Sequence, residues 1–512
     1  MCQTVVPAIL GRCDLLTAKC KRRFALGLLL LLSLTPAVHG TGPNVVILFA
    51  DDLGYGDLGS YGHPYIRTPH LDDLAANGQR WTDFYTAASV CSPSRAALLT
   101  GRLPVRTGLY GNRIRVMFPD DPNGIPAAET TVAEALQAQG YATGIFGKWH
   151  LGDAPHAYPT RHGFNVWYGV PYSNDMRWEG EQTFEEALSL SLAGRGTELQ
   201  ATYAQRRWKL LAPKIEYWNV PLIRSEQRAD GFDDEVIEEP ADQRTLTKRY
   251  TEEAIAFIRN HGNQPFFVYL PYTMPHVPLF RSDEFTDTSL GGRYGDVIEE
   301  IDWSVGQIVA ALKRLDLTND TLVVFTSDNG PWLIFAQHGG SAGLLRMGKG
   351  TTFEGGLRVP AIFSWPGTIP PSIVSELGST LDIYPTVLAL SGQRPAQTLD
   401  GVDLSATLTR QARSPRNEMP FYRNGDLYAY RVGEFKLHLI TFGAYNQPPP
   451  RTEHAQPLLY HLPTDPGERT DVAGEHPDVV EHISDAINRH LKSFEPEAPI
   501  FDQRVTRLLG SP

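Results

Sequence analysis

Cysteine is scarce in this chain of 512 residues, which has four. Cys2, Cys13 and Cys20 crowd the N-terminus, and Cys91 stands alone in the rest. No internal disulfide is therefore available beyond residue 20. Long apolar runs are missing too. The run Phe24–Leu34 falls short of the about 20 residues that a membrane-spanning helix needs. Positive charge is in deficit: 46 Lys and Arg against 58 Asp and Glu give a formal net charge of −12. An electrostatic nucleic-acid binder needs the opposite balance, so nucleic acid is excluded as a partner. Low-complexity tracts, coiled-coil composition and internal repeats are absent, which excludes fibrous and disordered classes. What remains is a globular composition, 42% hydrophobic and 20% charged, in a chain long enough to bury a core without staples.

The N-terminus is a different kind of sequence. Lys19, Lys21, Arg22 and Arg23 precede Phe24–Leu34, and Pro36, Ala37, Val38, His39 and Gly40 follow. A basic segment, a short apolar segment and a small-residue end read as a signal peptide over residues 1–40, with an N-terminal anchor as the alternative. The expectation is an exported chain, periplasmic or secreted, with no stable membrane span once that segment is removed. Removal takes five Lys or Arg and one Asp, moving the net charge from −12 to −16. It also leaves Cys91 as a lone thiol in an oxidising compartment, a liability unless it is buried or chemically useful.

From residue 41 to about 370, strands alternate with helices. Val45–Ala50 is a short apolar run ending in Asp51-Asp52, with Gly54 and Gly56 just after. Thr68-Pro69 opens a short helix that stops at Gly78. Thr131 and Glu134 form a capping box for a helix through Gln139, and Gly140 ends it. Ala142–Phe146, Phe266–Leu270 and Leu322–Thr326 read as buried strands. Helices are expected from about Thr245 to Arg259, and through Val297, Ile301, Val305, Ile308 and Leu312. This pattern implies a mostly parallel sheet with helices on both faces. Residues 175–240 are polar and irregular in period, and read as an insertion over one face. After about residue 410 the texture becomes hairpin-like: Leu427–Val432 and Phe435–Thr441 joined near Gly433, then Leu458–Leu462 and a helix near Val479–Leu491. The expected organisation is a signal peptide over 1–40, an α/β domain over 41–410 and a small antiparallel α+β domain over 411–512.

Sites in open α/β sheets lie beyond the carboxyl ends of the strands. Asp51 and Asp52 end the first strand, and Asp328 and Asn329 end a later one. Three carboxylates and an amide oxygen are a hard donor set suited to Ca²⁺ or Mg²⁺. Each pair alone also reads as a turn or a cap. Cys91-Ser92-Pro93-Ser94-Arg95 opens a helix, with Pro93 in its first turn. Cys91 then sits where backbone N–H groups favour an anion, one turn from Arg95. The plainer reading is a buried thiol in a helix cap. Lys148 and His150 sit at another strand end, His276 follows Phe266–Leu270, and Lys349 lies in a Gly-rich loop. Ser173, in Pro171-Tyr172-Ser173-Asn174, is a weaker candidate. Singly, these read as a solvated lysine, packed or turn histidines and an ordinary loop.

Together these residues resemble the sulfatase family. Cys91-Ser92-Pro93-Ser94-Arg95 with Leu99-Thr100-Gly101-Arg102 resembles its signature, in which the cysteine is oxidised to formylglycine. The likeness continues through Gly144–Gly152, Thr326–Gly330, Gly348–Glu354 and Asp465-Pro466-Gly467-Glu468-Arg469, in order, from about Pro43 to about residue 490. Within the family the chain looks most similar to arylsulfatase A and the N-acetylgalactosamine-6-sulfatases. Those animal enzymes carry structural disulfides and this chain can form none after residue 20, which points to a bacterial relative.

The resemblance implies an alkaline-phosphatase-like fold and hydrolysis of sulfate esters. It implies one Ca²⁺, with Mg²⁺ less suited, on Asp51, Asp52, Asp328 and Asn329, with modified Cys91 nearby. Hydrated formylglycine at position 91 would attack sulfur as a gem-diol, held by Arg95 and Lys148. His150 would take the second hydroxyl's proton, releasing sulfate and restoring the aldehyde. Lys148, Ser173 and Lys349 would bind sulfate oxygens, and His276 would protonate the leaving oxygen. Implied partners are a sulfated small molecule, sugar or glycolipid, and a formylglycine-generating enzyme during maturation. Two rivals stand beside this: a phosphate or phosphonate ester hydrolase of the same superfamily, and a non-catalytic exported binder of sulfated glycans.

Overall fold

Alternation within a single strand divides the interior in two. Val45, Ile47 and Phe49 point into one hydrophobic core, and Val46, Leu48 and Ala50 into the other. This is how a strand buried on both faces reads as an unbroken apolar run. The computed structural model describes residues 42–509, so the expected signal peptide lies outside the described residues.

The larger sheet comprises β1 (Asn44–Ala50), β2 (Gln79–Tyr85), β3 (Ala142–Phe146), β4 (Val166–Gly169), β5 (Leu222–Arg228), β6 (Gly231–Glu238), β7 (Phe266–Pro271), β8 (Thr321–Ser327), β9 (Ala361–Ser364) and β10 (Ser372–Ser379). Its ten strands run β10-β2-β9-β8-β1-β7-β3-β4-β5-β6. β8, β1, β7, β3 and β4 are mutually parallel. β9 is antiparallel to both neighbours, which leaves β2 running the same way as β8. The carboxyl ends of β1, β2, β3, β4, β7 and β8 therefore share one edge of the sheet. The helices Leu246–His261 and Gly292–Arg314 cover one face through Tyr250, Ala254, Ile258, Val297, Ile301 and Val305. Ala96, Leu98 and Leu99 of the helix Cys91–Thr100 and Val132 and Leu136 of the helix Val132–Gln137 cover the other. The capping box of Thr131 and Glu134 is present.

The sequence reading of residues 175–240 as irregular needs correction. The segment forms the helices Phe184–Leu192 and Gly196–Leu211 and then the β5–β6 hairpin, which extends the sheet at its edge. β6 is exposed along nearly its whole length, so it carries no buried face for a period of two to mark.

β11 (Glu418–Arg423), β12 (Asp426–Val432), β13 (Phe435–Thr441) and β14 (Thr452–His461) form a separate four-stranded antiparallel sheet. Leu427, Tyr430, Leu437 and Leu459 from that sheet pack on Ile483, Ala486 and Ile487 of the helix Pro477–Lys492. β14 begins at Thr452, earlier than the apolar Leu458–Leu462 stretch indicates. Among the described residues, no helix is long and apolar enough to cross a membrane.

Candidate active site

Cys91 opens a ten-residue helix in which every residue is buried. Pro93 suits its first turn, Ala96–Leu99 favour its interior, and Gly101 at φ +65° ends it. The extended Val90 before it delivers Cys91 to the shared edge of the sheet. There the Cys91 thiol donates to Asp51 Oδ1 at 3.6 Å, and Asp52 Oδ1 lies 4.0 Å from Sγ. Lys349 Nζ donates to Sγ at 3.5 Å. Burial pushes the thiol up, against the pull of Lys148 and Lys349, so the protonated form is the resting one.

Ligand atoms of Asp51, Asp52, Asp328 and Cys91 all lie within 4.8 Å of one another. The acids are held differently. Burial works against the charge of Asp51, but Lys148 and Arg95 outweigh it and hold Asp51 well below the usual carboxylate range. Lys148 Nζ donates to Asp51 Oδ2 at 2.6 Å, and Arg95 Nη2 lies 3.5 Å from Oδ1. Asp52 stands in the left-handed region at φ +66°. Burial raises it to about 7; Lys349 opposes the rise, while Asp51 and Asp328 add to it. Asp328 is raised by burial and by Asp51, and accepts from Arg95 Nε at 3.0 Å and Nη2 at 2.8 Å. Asn329 Nδ2 donates to Asp52 Oδ1 at 2.7 Å. Asn329 Oδ1 is buried with no hydrogen-bond partner. An orphaned amide oxygen beside three mutually repelling carboxylates fits a hard divalent cation.

Gly147 explains how Lys148 and His150 reach this edge. At φ +139°, a Cβ there would meet the Pro271 carbonyl oxygen at 1.9 Å. Only glycine lets the chain pass this close, after which Lys148 N–H donates to Pro271 O at 2.8 Å. Lys148 Nζ then also donates to Ser173 Oγ at 3.3 Å. His150 Nε2 lies 2.9 Å from the Met117 carbonyl, while its Nδ1 is buried and unpartnered. A carbonyl only accepts, so Nε2 carries the proton and the Nδ1 lone pair is free. Burial, with Lys148 and Arg95, holds His150 well below its usual value. His276 lies 3.4 Å from Ser173 Oγ and 3.6 Å from Asp52 Oδ2, and burial with Lys349 lowers it to about 3.

The structure thus brings together every residue singled out from the sequence. One orientation differs. The Arg95 guanidinium turns to Asp328 and the Lys148 carbonyl, at 3.1 Å, rather than to Cys91. Four neighbours escaped the sequence reading. Trp332 lies against His276, with ring centroids 5.2 Å apart, and under Lys349 Nζ at 4.4 Å. Asp175, Arg115 and Tyr445 complete a cavity of about 840 Å³ above Cys91. All four sit on loops without periodicity. His454, on β14, lies 2.9 Å from Thr441 Oγ1 through its Nε2 and does not line the cavity.

Comparison with known proteins accords with this geometry. Residues 43–393 match the family model described as Sulfatase, and residues 414–508 match the C-terminal region of aryl-sulfatase. The chain is 41% identical to arylsulfatase A of Bos taurus over 488 residues, covering 91% of this chain and 89% of that protein. It is 38% identical to N-acetylgalactosamine-6-sulfatase of Rattus norvegicus over 490 residues, covering 89% and 87%. Among solved structures it is similar to Ps i-CgsB in complex with k-i-k-neocarrahexaose, at 29% identity and a TM-score of 0.70 over 92% of this chain and 98% of that one.

Proposed function

The chain belongs to the sulfatase family and is a sulfuric ester hydrolase, and from that premise we propose how its residues divide the reaction. The observation that carries the reading is the convergence on buried Cys91 of three carboxylates and Lys349. Formylglycine made from Cys91 by a maturation enzyme supplies, once hydrated, an oxygen nucleophile where the thiol itself is unactivated. A calcium ion on Asp51, Asp52, Asp328 and Asn329 supplies the charge that screens an anionic ester. The hard oxygen donors and the orphaned Asn329 Oδ1 support that ligand set.

Lys148, Ser173 and Lys349 bind the sulfate oxygens and hold sulfur in line with position 91. Arg95 fixes Asp328 and Asp51 and adds a permanent positive charge behind them. His150 acts as the base: its Nε2–H is committed to Met117, its Nδ1 is free, and burial keeps the ring neutral. His276 gives a proton to the leaving oxygen. The negative charge of a bound ester raises the basicity of that ring, so the proton is recruited with the substrate. The substrate is a sulfated sugar, glycolipid or small aryl molecule. On the same reading, residues 41–410 carry the chemistry and 411–512 form the smaller unit, in a chain exported with residues 1–40 removed.

Mass spectrometry of the tryptic peptide Trp81–Arg95 tests the nucleophile, alongside turnover of p-nitrophenyl sulfate and phosphate. Aldehyde and hydrate masses, with chelator-sensitive turnover of the sulfate, are expected. An unmodified thiol in fully active protein overturns the proposed nucleophile.

A further inference from the structure

Five arginines line the cavity above Cys91, and they are not treated alike. Arg177 pairs with Asp120, Arg206 with Asp175, and Arg504 with Glu185. Arg113 and Arg115 have no carboxylate partner among the described residues. Arg113 is exposed, but Arg115 is fixed in the wall. Its Nη2 donates to the Gly350 carbonyl at 3.0 Å, and a Cβ on Gly350 would lie 2.9 Å from its Nη1. Gly350 follows Lys349, so this guanidinium stands one residue along from a lysine that touches Cys91. Its Nε is buried and has no hydrogen-bond partner, a costly state for a cationic donor. The Tyr445 ring lies 5.8 Å from its Cζ.

Nearby Arg423 repeats the pattern. It is 8% exposed and donates to the carbonyls of Phe442 and Gly443, with no acid paired to it among the described residues. Burial and the repulsion of Arg115 pull Arg423 down to about 10. The chain has 58 acidic residues from which partners could be drawn. An uncompensated arginine in the cavity wall, one residue along from Lys349, therefore argues for an anion that arrives with the substrate.

We propose that Arg115 is a specificity-determining residue that binds a second anionic group, sulfate or carboxylate, of the substrate whose scissile sulfate sits at Lys349. The inference rests on the sulfatase reading above and narrows it to polyanionic saccharides. A planar guanidinium suits either oxyanion by paired N–H bonds. The cavity of about 840 Å³ holds a ligand well beyond one sulfate group.

The test compares kcat/KM of wild type, Arg115→Gln and Arg115→Lys on three disaccharides with the same scissile sulfate. One carries a second sulfate, one a uronate carboxylate and one neither; p-nitrophenyl sulfate is the reference. Wild type should prefer a doubly charged substrate by about ten- to a hundredfold, mostly through KM, and less so at high salt. Whichever of the two is preferred identifies the anion. Arg115→Gln should lose at least tenfold more on that substrate than on p-nitrophenyl sulfate, and Arg115→Lys should keep part of the preference. Equal losses on all substrates would show that Arg115 only props the Lys349 loop, and no preference in wild type would likewise overturn the proposal. If Arg115→Gln does not fold, the lysine variant and the wild-type preference decide the matter. Wild type that turns over no sulfate ester at all refutes the sulfatase reading itself, and this inference with it.

Discussion

Replacing Lys436 with methionine tests whether the C-terminal sheet holds the loop that carries Lys349. Lys436 lies on β13 and is fully buried. Its Nζ donates to Thr352 O at 2.8 Å and Glu354 Oε1 at 2.9 Å, and lies 3.0 Å from Glu468 Oε1. Glu468 also accepts the Glu354 N–H at 2.7 Å and lies 2.6 Å from His438 Nε2. Both carboxylates are thus clamped between the small sheet and the segment that continues from Lys349. Methionine keeps much of the volume but removes the charge and its donors. Removing one partner of a buried ion pair costs about 3–5 kcal/mol. Glu354 keeps Tyr85 and Arg358, and Glu468 keeps His438, which puts the cost near the low end, about 3 kcal/mol. That is more than a hundredfold, on the order of 10², in the folding equilibrium. Urea unfolding should show a lower midpoint with an unchanged slope. KM for p-nitrophenyl sulfate should rise as the Lys349 loop loosens. Glu468→Gln added to Lys436→Met should recover part of the loss, with a coupling of about 1 kcal/mol or more. An unmoved midpoint, or strictly additive single effects, refutes the clamp.

Gly147→Ala should cost roughly 2 kcal/mol or more, because φ +139° and the 1.9 Å approach to Pro271 O leave no room for a Cβ. Activity per folded molecule should fall as well, since Lys148 and His150 follow directly; full specific activity would contradict the close-approach argument. Asn329→Ala should need about tenfold more calcium, or beyond, to reach the same thermal stabilisation, and superimposable titrations would remove Asn329 from the ligand set. Burial alone would raise Glu354, but Lys436, Arg358 and Arg431 bring it from 4.5 down to about 2. A depressed folded value contributes stability above pH 4.5 that is lost as pH falls toward 2. The stability gap between wild type and Glu354→Gln, on the order of 3 kcal/mol near pH 6, should therefore close over that window; a gap constant with pH would exclude the charge as its source.

Where the fold was legible, burial had written it into the chain. β1, β7 and β8 are buried at every position, and the apolar runs Val45–Ala50, Phe266–Leu270 and Leu322–Phe325 mark them. β2 and β10 carry Gln79, Arg80, Asp83, Ser372 and Glu376 among their apolar residues, and neither shows a clean period. Pairing with each other and with β9, rather than intrinsic preference, makes them strands. The site divides along the same physical line. Asp51, Cys91, Lys148, Asp328 and Lys349 follow strand ends or sit where a tight turn needs glycine, so local geometry marks them. Trp332, Asp175, Arg115 and Tyr445 reach the cavity on loops that share no strand and no period. Their positions depend on long-range partners such as Gly350 for Arg115 and Arg206 for Asp175. Chemistry common to a family needs a rigid frame and is therefore written at the frame's edges, while the choice among substrates is made by loops the frame leaves free. Arg115, a loop residue with no acid paired to it among the described residues, is where the proposed choice can be measured.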